Sequence, residues 1–184
     1  MDAITSFARA LRSRLAALIP GRRDPHRARV ERLRRRGVRI GERCVIHTDH
    51  FSTEPYLVEI GNHVGIASGT HFLTHDGSIW LTRDSRPDVQ HFGKITVGDN
   101  TYIGMNCIIL PGATIGKNCI IGAGSVVRGN IPDNSIVVGN PASIVGRASL
   151  LMQRLQDSPD TFDSLRMDYT ERMKTLCRHF AIDI

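Results

Sequence analysis

The stretch that decides the fold runs from Val97 to Pro132 and reads VGDNTYIGMNCIILPGATIGKNCIIGAGSVVRGNIP. An aliphatic residue returns there at every sixth position, as Val97, Ile103, Ile109, Ile115, Ile121 and Val127. An interval of six is neither helical nor a simple strand alternation, and it fits a short strand and a turn repeated many times. Stacked coils of this kind bury one continuous aliphatic column. The stretch therefore predicts a parallel β-helix rather than a glycine-rich β-sandwich, in which irregular spacing is expected.

The same interval occurs in two earlier stretches, at Ile60, Ile66 and Phe72 and at Ile40 and Ile46. The three registers differ, which indicates insertions near residues 47–59 and 76–94. We therefore predict a β-helical domain over residues 40–147 with an inserted loop at 76–94. A loop of this length that leaves a regular solenoid is usually functional.

Positive charge is concentrated at the start of the chain. The 184 residues carry a net charge of +6, but residues 1–39 hold 12 Arg and 3 acidic residues, and the remainder is net negative. Residues 4–19 place Ile, Phe and Leu at helical spacing. We expect a basic, largely helical extension over 1–39 that either packs on the β-helix or a neighbouring subunit or docks on an anionic membrane surface. Because no nucleic-acid reader module accompanies the arginines, nucleic acid is not an expected partner.

The C-terminal residues 148–184 lose the six-residue interval and show helical spacing of apolar residues, with Pro159 expected to begin the second helix. The predicted role of this segment is a helical cap over the open end of the β-helix. No apolar run approaches the roughly 20 residues of a membrane-spanning helix. The four cysteines form no CxxC pair, and no signal peptide is evident, so a cytoplasmic protein is expected.

Three segments carry a resemblance to a known family: THDG (74–77), KITVGDNTYIGMNCIILPGATIGKNCIIGAGSVV (94–127) and IPDNSIVVGNPASIVGR (131–147). Together they resemble the bacterial hexapeptide-repeat O-acetyltransferases, which include maltose and galactoside acetyltransferases and the O-acetyltransferases of polysaccharide synthesis. The resemblance implies a mainly β fold, a left-handed parallel β-helix of hexapeptide repeats with N- and C-terminal helices. It also implies acetyl-CoA as the acyl donor, a sugar or glycan hydroxyl as the acceptor, a homotrimer and no required metal.

The candidate catalytic residue is His75, which occupies the place of the general base in this family. The reaction needs a base that removes a proton as a hydroxyl attacks the thioester carbonyl. Imidazole suits this role because its pKa lies near neutrality. Without the resemblance, His75 would be read as a solvated turn histidine.

Candidate acceptor-binding residues lie in the two irregular stretches. Related sugar enzymes hold acceptor hydroxyls with carboxylate and amide side chains near the first stretch, and related serine acetyltransferases carry functional histidines at comparable places. The alternative for the carboxylates is that they are solvated loop acids. The candidates are Asp49, His50, Glu54, Trp80 and His91.

The candidate cofactor-binding residues lie in the late coils. Ala123 matches the cofactor-binding alanine of the family, Gly104 and Asn106 lie one coil earlier, and Arg128 and Arg147 are available for the phosphates. The chain departs from the family where Arg128-Gly129 replaces a frequent Thr-Lys and where Tyr102 replaces a frequent Trp. The alternative for the arginines is simple surface solvation.

Two rival functions remain open from the sequence. The same fold hosts zinc carbonic anhydrases of the γ type, which use three histidines, and His71 and His75 lie four residues apart with His50, His63 and His91 nearby. That family spaces its close pair five apart. A non-catalytic β-helix scaffold is the other alternative, although a scaffold has no reason to furnish its loop with His75, Trp80 and His91.

Overall fold

The computed structural model describes residues 25–183, and these divide after Ala148 into two compact units. The described part of the first unit contains helix α1 (Pro25–Arg35) and fourteen short strands. The strands are β1 (Arg39–Ile40), β2 (Val45–Ile46), β3 (Val58–Ile60), β4 (Gly65–Ile66), β5 (His71–Phe72), β6 (Ile95–Val97), β7 (Tyr102–Ile103), β8 (Ile108–Ile109), β9 (Thr114–Ile115), β10 (Ile120–Ile121), β11 (Val126–Val127), β12 (Asn130–Ile131), β13 (Ser135–Gly139) and β14 (Ala142–Arg147).

The strands form three sheets, in the orders β1-β3-β6-β9-β12, β2-β4-β7-β10-β13-β14 and β5-β8-β11. Every pairing is parallel except that of β13 with β14. Between β6 and β11, paired residues on each of the three sheets lie 18 positions apart, as in Thr96 with Thr114, Tyr102 with Ile120, and Ile108 with Val126. One coil therefore consists of three six-residue repeats, and the predicted parallel β-helix is confirmed.

The repeated aliphatic positions form the core of this β-helix. The six members of the deciding stretch are at most 1% exposed, and Ile60, Ile66 and Phe72 continue the same buried column. Two of the cysteines, Cys107 and Cys119, lie in this core, where burial raises the pKa of each thiol. Burial of this column away from water is the main stabilising term for the coils.

The corners of the coils explain why the repeat needs asparagine and glycine. Asn100, Asn106 and Asn118 adopt positive φ angles near 55°, a conformation that asparagine tolerates better than most residues. At Gly98 a Cβ atom would lie 2.6 Å from the backbone carbon of Gly116 on the next coil. The close approach of successive coils therefore excludes a side chain at this corner.

Two departures from the 18-residue coil mark the insertions. Val58 on β3 pairs with Ile95 on β6, a separation of 37 residues, so one long insertion lies between these coils. It opens with a 3-10 helix, Gly77–Thr82, and its ends meet where the Gly93 amide donates to the Thr74 carbonyl at 2.8 Å. A shorter irregular stretch follows β2 and contains the 3-10 helix Pro55–Leu57. Phe51 in this shorter stretch bridges to Phe72 of β5, and the long insertion follows β5 directly.

Helix α1 packs against β1 and β2 through Val30 and Leu33, which are buried in the core cluster. Three of its arginines contact the first coil and the irregular stretch that follows it. Arg29 and Arg32 form ion pairs with Asp49 at 3.3 and 2.7 Å, and Arg34 donates to the carbonyls of Ile40 and Gly41. Much of the basic run predicted for a membrane surface therefore contacts the protein itself. The apolar face predicted over residues 4–19 lies outside the described residues.

The second unit contains most of α2 (Ala148–Gln156) and all of α3 (Tyr169–His179). The expectation that the second helix begins at Pro159 was wrong. Asp168 caps α3 by accepting a hydrogen bond from the Glu171 amide at 2.9 Å, and residues 157–168 form turns. An aspartate at the cap position is a stronger start signal than the proline nine residues earlier. In residues 25–183 no helix is both long enough and apolar enough to cross a bilayer.

Candidate active site

His75 lies just after β5, at the point where the long insertion leaves the β-helix. An isolated antiparallel bridge joins it to Phe92, near the end of the same insertion. The preceding residue, Thr74, is fully buried, whereas the His75 side chain is 46% exposed. The backbone at His75 is therefore fixed by the coil, and its imidazole projects into a solvent-accessible space.

A carboxylate from the first insertion fixes the imidazole. His75 Nδ1 lies 3.0 Å from Glu54 Oε2 and 3.3 Å from Ser52 Oγ. The same Glu54 oxygen accepts a hydrogen bond from the Thr74 hydroxyl at 2.7 Å, and the other oxygen accepts one from the Thr53 hydroxyl. Among residues 25–183, hydrogen bonds to this ring are made only at Nδ1.

The ionisation of Glu54 sets the tautomer of His75. Burial by itself raises the pKa of this carboxyl, which is 15% exposed, but hydrogen bonds from Thr53, Thr74 and His75 outweigh it and lower the pKa to about 2. Glu54 is therefore an anion at neutral pH and can only accept hydrogen bonds. Neutral His75 accordingly carries its proton on Nδ1 and presents the lone pair of Nε2 outward.

The imidazole opens into a cleft of about 430 Å³ formed by both insertions. Trp80, two-thirds exposed, lies on its 3-10 helix, and the Arg83 guanidinium carbon lies 5.0 Å from the centroid of the Trp80 ring. The cleft is lined by Thr53, Glu54, His75, Asp76, Gly77, Ile79, Trp80, Arg83, Gln90 and His91. Four of the predicted residues, Glu54, His75, Trp80 and His91, thus lie together.

Asp76 stabilises the wall of this cleft. Its side chain caps the 3-10 helix by accepting a hydrogen bond from the Ser78 amide at 2.9 Å, which lowers the pKa of Asp76. Its own backbone amide donates to the His91 carbonyl at 2.9 Å. The two ends of the insertion are therefore held side by side, and both flank His75.

The other two predicted acceptor residues, Asp49 and His50, lie in a neighbouring cleft of about 310 Å³. The Asp49 carboxylate is paired with Arg29 and Arg32, and these interactions outweigh the effect of burial and lower its pKa. The His50 ring stacks on His71, with centroids 4.2 Å apart. Ser52 lines this second cleft and also contacts His75, so the two clefts adjoin.

The predicted cofactor-binding residues lie in the late coils, where Gly104 is buried and the other four are exposed. A Cβ atom on Gly104 would lie 2.6 Å from the Ala123 nitrogen, so these two residues are stacked in successive coils. Asn106 lies at a corner with a φ of 56°, Arg128 follows β11, and Arg147 ends β14. Ala123, Arg128 and Arg147 are exposed, as a bound ligand on this surface would require.

Sequence reasoning missed several residues of the site, among them Ser52, Thr74 and Arg83. Thr74 precedes His75 directly, and its burial could have been inferred from the coil pattern. Ser52 has a φ of 27°, a turn conformation that no motif in the sequence signals. Arg83 lies in the polar inserted loop, 11 residues after the end of β5, where sequence gives no information about the direction of a side chain.

The histidines considered for zinc do not converge in a single chain. His63 Nδ1 lies 2.7 Å from Asn100 Oδ1 on a corner of the coils. His50 stacks on His71, whereas His75 contacts Glu54 and Ser52 instead. Over residues 25–183, no group of three His, Cys, Asp or Glu residues is arranged to hold a metal ion.

The chain is similar to several known proteins. The profile of the family described as bacterial transferase hexapeptide (six repeats) matches residues 94–129. The Staphylococcus aureus protein CapG is 40% identical over 153 residues, covering 82% of this chain and 88% of CapG. WbbJ of Escherichia coli, provisionally named a lipopolysaccharide biosynthesis O-acetyltransferase, is 29% identical over 121 residues, covering 58% of this chain and 62% of WbbJ.

Solved structures of a hexapeptide-repeat acetyltransferase from Vibrio cholerae are also similar. One superposes with a TM-score of 0.58 and 25% identity, covering 80% of this chain and 94% of the other. A second, in complex with acetyl-CoA, gives a TM-score of 0.54 and 30% identity over 61% of each chain. With the repeat, the fold and the extended similarity to CapG in agreement, the chain belongs to the family of bacterial hexapeptide-repeat acetyltransferases.

Proposed function

We propose that this protein transfers an acetyl group from acetyl-CoA to a hydroxyl of a sugar or glycan precursor, with His75 as the general base. The observation that carries the proposal is the contact between His75 Nδ1 and the Glu54 carboxylate at 3.0 Å. This contact leaves Nε2 free to accept a proton inside a cleft large enough for a sugar ring.

The chemistry follows from this arrangement. Nε2 of His75 removes the proton from the acceptor hydroxyl as its oxygen attacks the thioester carbonyl carbon. The imidazolium that forms is stabilised by the Glu54 anion 3.0 Å away. When the carbon–sulfur bond breaks, the proton passes from His75 to the departing CoA thiolate, and the acetyl ester and CoA leave. This direct transfer needs no covalent enzyme intermediate and no metal.

For the donor, the proposal is supported by the acetyl-CoA complex of the V. cholerae relative and by the exposed residues of the late coils. We assign the pantetheine arm to the exposed surface of Asn106 and Ala123, beside which the buried Gly104 lets the coils stack closely, and the phosphates to Arg128 and Arg147. Neither arginine has an ion-pair partner among the described residues, so both guanidinium groups are available to phosphate oxygens.

For the acceptor, the name of WbbJ and the exposed Trp80 ring in the cleft support a sugar. A flat aromatic face beside the base provides a surface for the apolar face of a sugar ring. His91 lines the same cleft, and Asp49 and His50 would extend the acceptor site into the adjoining one.

We further propose left-handed coils and a homotrimer whose sites lie between subunits, as the family resemblance implies. Apolar side chains on the outside of β7 and β8, among them Tyr102, Met105 and Ile108, support an interface because they are 36–52% exposed. Sedimentation of the full chain tests the assembly, and a monomer at micromolar concentration contradicts it.

The test of the base is a thiol-release assay with acetyl-CoA and a panel of sugars. His75→Ala is expected to keep the fold and lower turnover by about 10²–10⁴-fold, because a general base contributes this much. Glu54→Gln should lower turnover by about 10–100-fold, since an amide can donate to Nδ1 and favour the wrong tautomer. His47→Ala, an exposed histidine outside the cleft, is the matched control. Unchanged turnover in His75→Ala removes the proposed mechanism.

A further inference from the structure

We infer that the acceptor is an anionic sugar, carrying a carboxylate or a phosphate, and that Arg83 determines this specificity. The inference rests on the proposed function and names the substrate class of the same cleft. The inference depends on a comparison of the charged side chains of the cleft: the carboxylates are bonded within the protein, whereas the Arg83 guanidinium lacks an anionic partner among residues 25–183.

The negative groups of the cleft are already engaged. Glu54 accepts hydrogen bonds from Thr53, Thr74 and His75, so its oxygens are committed to positioning the base. Asp76 accepts the Ser78 amide as the cap of the 3-10 helix. Each carboxylate of the cleft therefore already accepts at least one hydrogen bond from the protein, and among residues 25–183 neither forms an ion pair with a lysine or an arginine.

The guanidinium of Arg83 is in the opposite situation. Its Nε is buried from solvent and has no hydrogen-bond partner among residues 25–183, and no carboxylate in that part of the chain forms an ion pair with it. A buried donor without a partner costs free energy that a bound acceptor restores. Its planar fork of N–H groups fits carboxylate and phosphate oxygens, and such charge-assisted hydrogen bonds are stronger than neutral ones.

Arg83 is also fixed in place. It follows the 3-10 helix directly, and its backbone amide donates to the Trp80 carbonyl at 3.1 Å. Its guanidinium carbon lies 5.0 Å from the centroid of the Trp80 ring, and this cation–π contact restrains the side chain beside the cleft. Because His75 lines the same cleft, one sugar can lie on this wall, contact Arg83 with its anionic group and present a hydroxyl to Nε2.

The experiment compares three probes that differ in charge: galactose, galacturonate and galactose 1-phosphate. Affinity is measured by ligand-observed NMR, and acetyl transfer by thiol release, for the full chain and for Arg83→Gln. Arg86→Gln, an exposed arginine in the same loop outside this cleft, is the matched control. Trp80→Ala serves as a second variant: loss of its stacking surface should weaken the binding of neutral sugars, and anionic sugars should lose more because the ring also holds Arg83.

The full chain is expected to prefer galacturonate or galactose 1-phosphate to galactose by at least about tenfold, and the better of the two identifies the source of the charge. Arg83→Gln should lose about 10–100-fold in affinity for that probe, should lose much less for galactose, and should leave acetyl-CoA binding unchanged. Equal binding of all three probes, or no measurable binding of either anionic probe, overturns the inference. Weaker acetyl-CoA binding in Arg83→Gln assigns the guanidinium to the donor and also overturns it. Failure of the proposed function is distinct, since it appears as absent acetyl-CoA binding in the full chain.

Discussion

The regular coils between β6 and β11 and the insertion at 76–94 are adjacent in sequence but opposite in physical character. In the coils every sixth side chain is buried, and successive coils approach so closely that Gly98 has no room for a Cβ atom. In the insertion Trp80 is 66% and Leu81 86% exposed. The difference teaches that stability resides in the repeat, whereas the residues fit for chemistry lie where the repeat is interrupted.

The largest expected effect is on the coil side of this comparison. Ile103→Ala should lower the free energy of unfolding by about 2–5 kcal/mol, because a fully buried side chain leaves a cavity between close-packed coils. Denaturant unfolding at fixed protein concentration measures it. Leu81→Ala, in the insertion, should change stability by less than about 0.5 kcal/mol. Similar losses in both variants would erase the distinction between the two regions.

Two glycines test the same contrast through the backbone. Gly98→Ala should lower the free energy of unfolding by about 1–3 kcal/mol, since its Cβ atom would lie 2.6 Å from the Gly116 carbon. Gly77, in the insertion, has no atom within 4 Å of its Cβ position, so Gly77→Ala should be nearly neutral. Thermal unfolding of both variants provides the comparison, and a tolerant Gly98 would contradict the close stacking of the coils.

Glu54 contacts Thr74 and His75, where the long insertion leaves the coils. Its contribution to the free energy of unfolding should be lost in acid. Its pKa is about 2 in the folded protein against 4.5 ordinarily, so the stability it supplies is complete above about pH 4.5 and is lost as the pH falls towards 2. After allowance for solvent screening, we expect a loss on the order of 1–2 kcal/mol over this interval. Glu54→Gln should lack this component of the acid titration. Identical acid profiles for both proteins would show that the carboxylate is not held as described.

The smallest expected effect concerns Asp49, which pairs with Arg29 and Arg32 of α1. Partly exposed ion pairs contribute little, so Asp49→Asn should lower the free energy of unfolding by about 0.5–1 kcal/mol. If Asp49 only anchors α1, the KM for the acceptor stays the same. A rise in that KM would instead support the acceptor role expected from the sequence.

The coils could be predicted from sequence because each repeat carries its own signal. Ile109 can be identified as a core residue because an isoleucine lies six positions before it and another six positions after it. The insertions can be identified because the six-residue interval is interrupted there. The contact of His75 with Glu54 could not be predicted this way, because 21 residues separate them and their approach depends on how two irregular segments pack. The role of Arg83 could not be predicted either, because it depends on its side chain lying over the Trp80 ring.

The central claim is that this chain binds acetyl-CoA and uses His75 to deliver its acetyl group. Calorimetric titration of acetyl-CoA into the full chain and into His75→Ala, followed by thiol release with an acceptor, tests it most directly. We predict binding to both proteins with an affinity in the micromolar range typical of enzyme substrates, and rapid CoA release only in the full chain. Absence of acetyl-CoA binding to either protein would contradict the account.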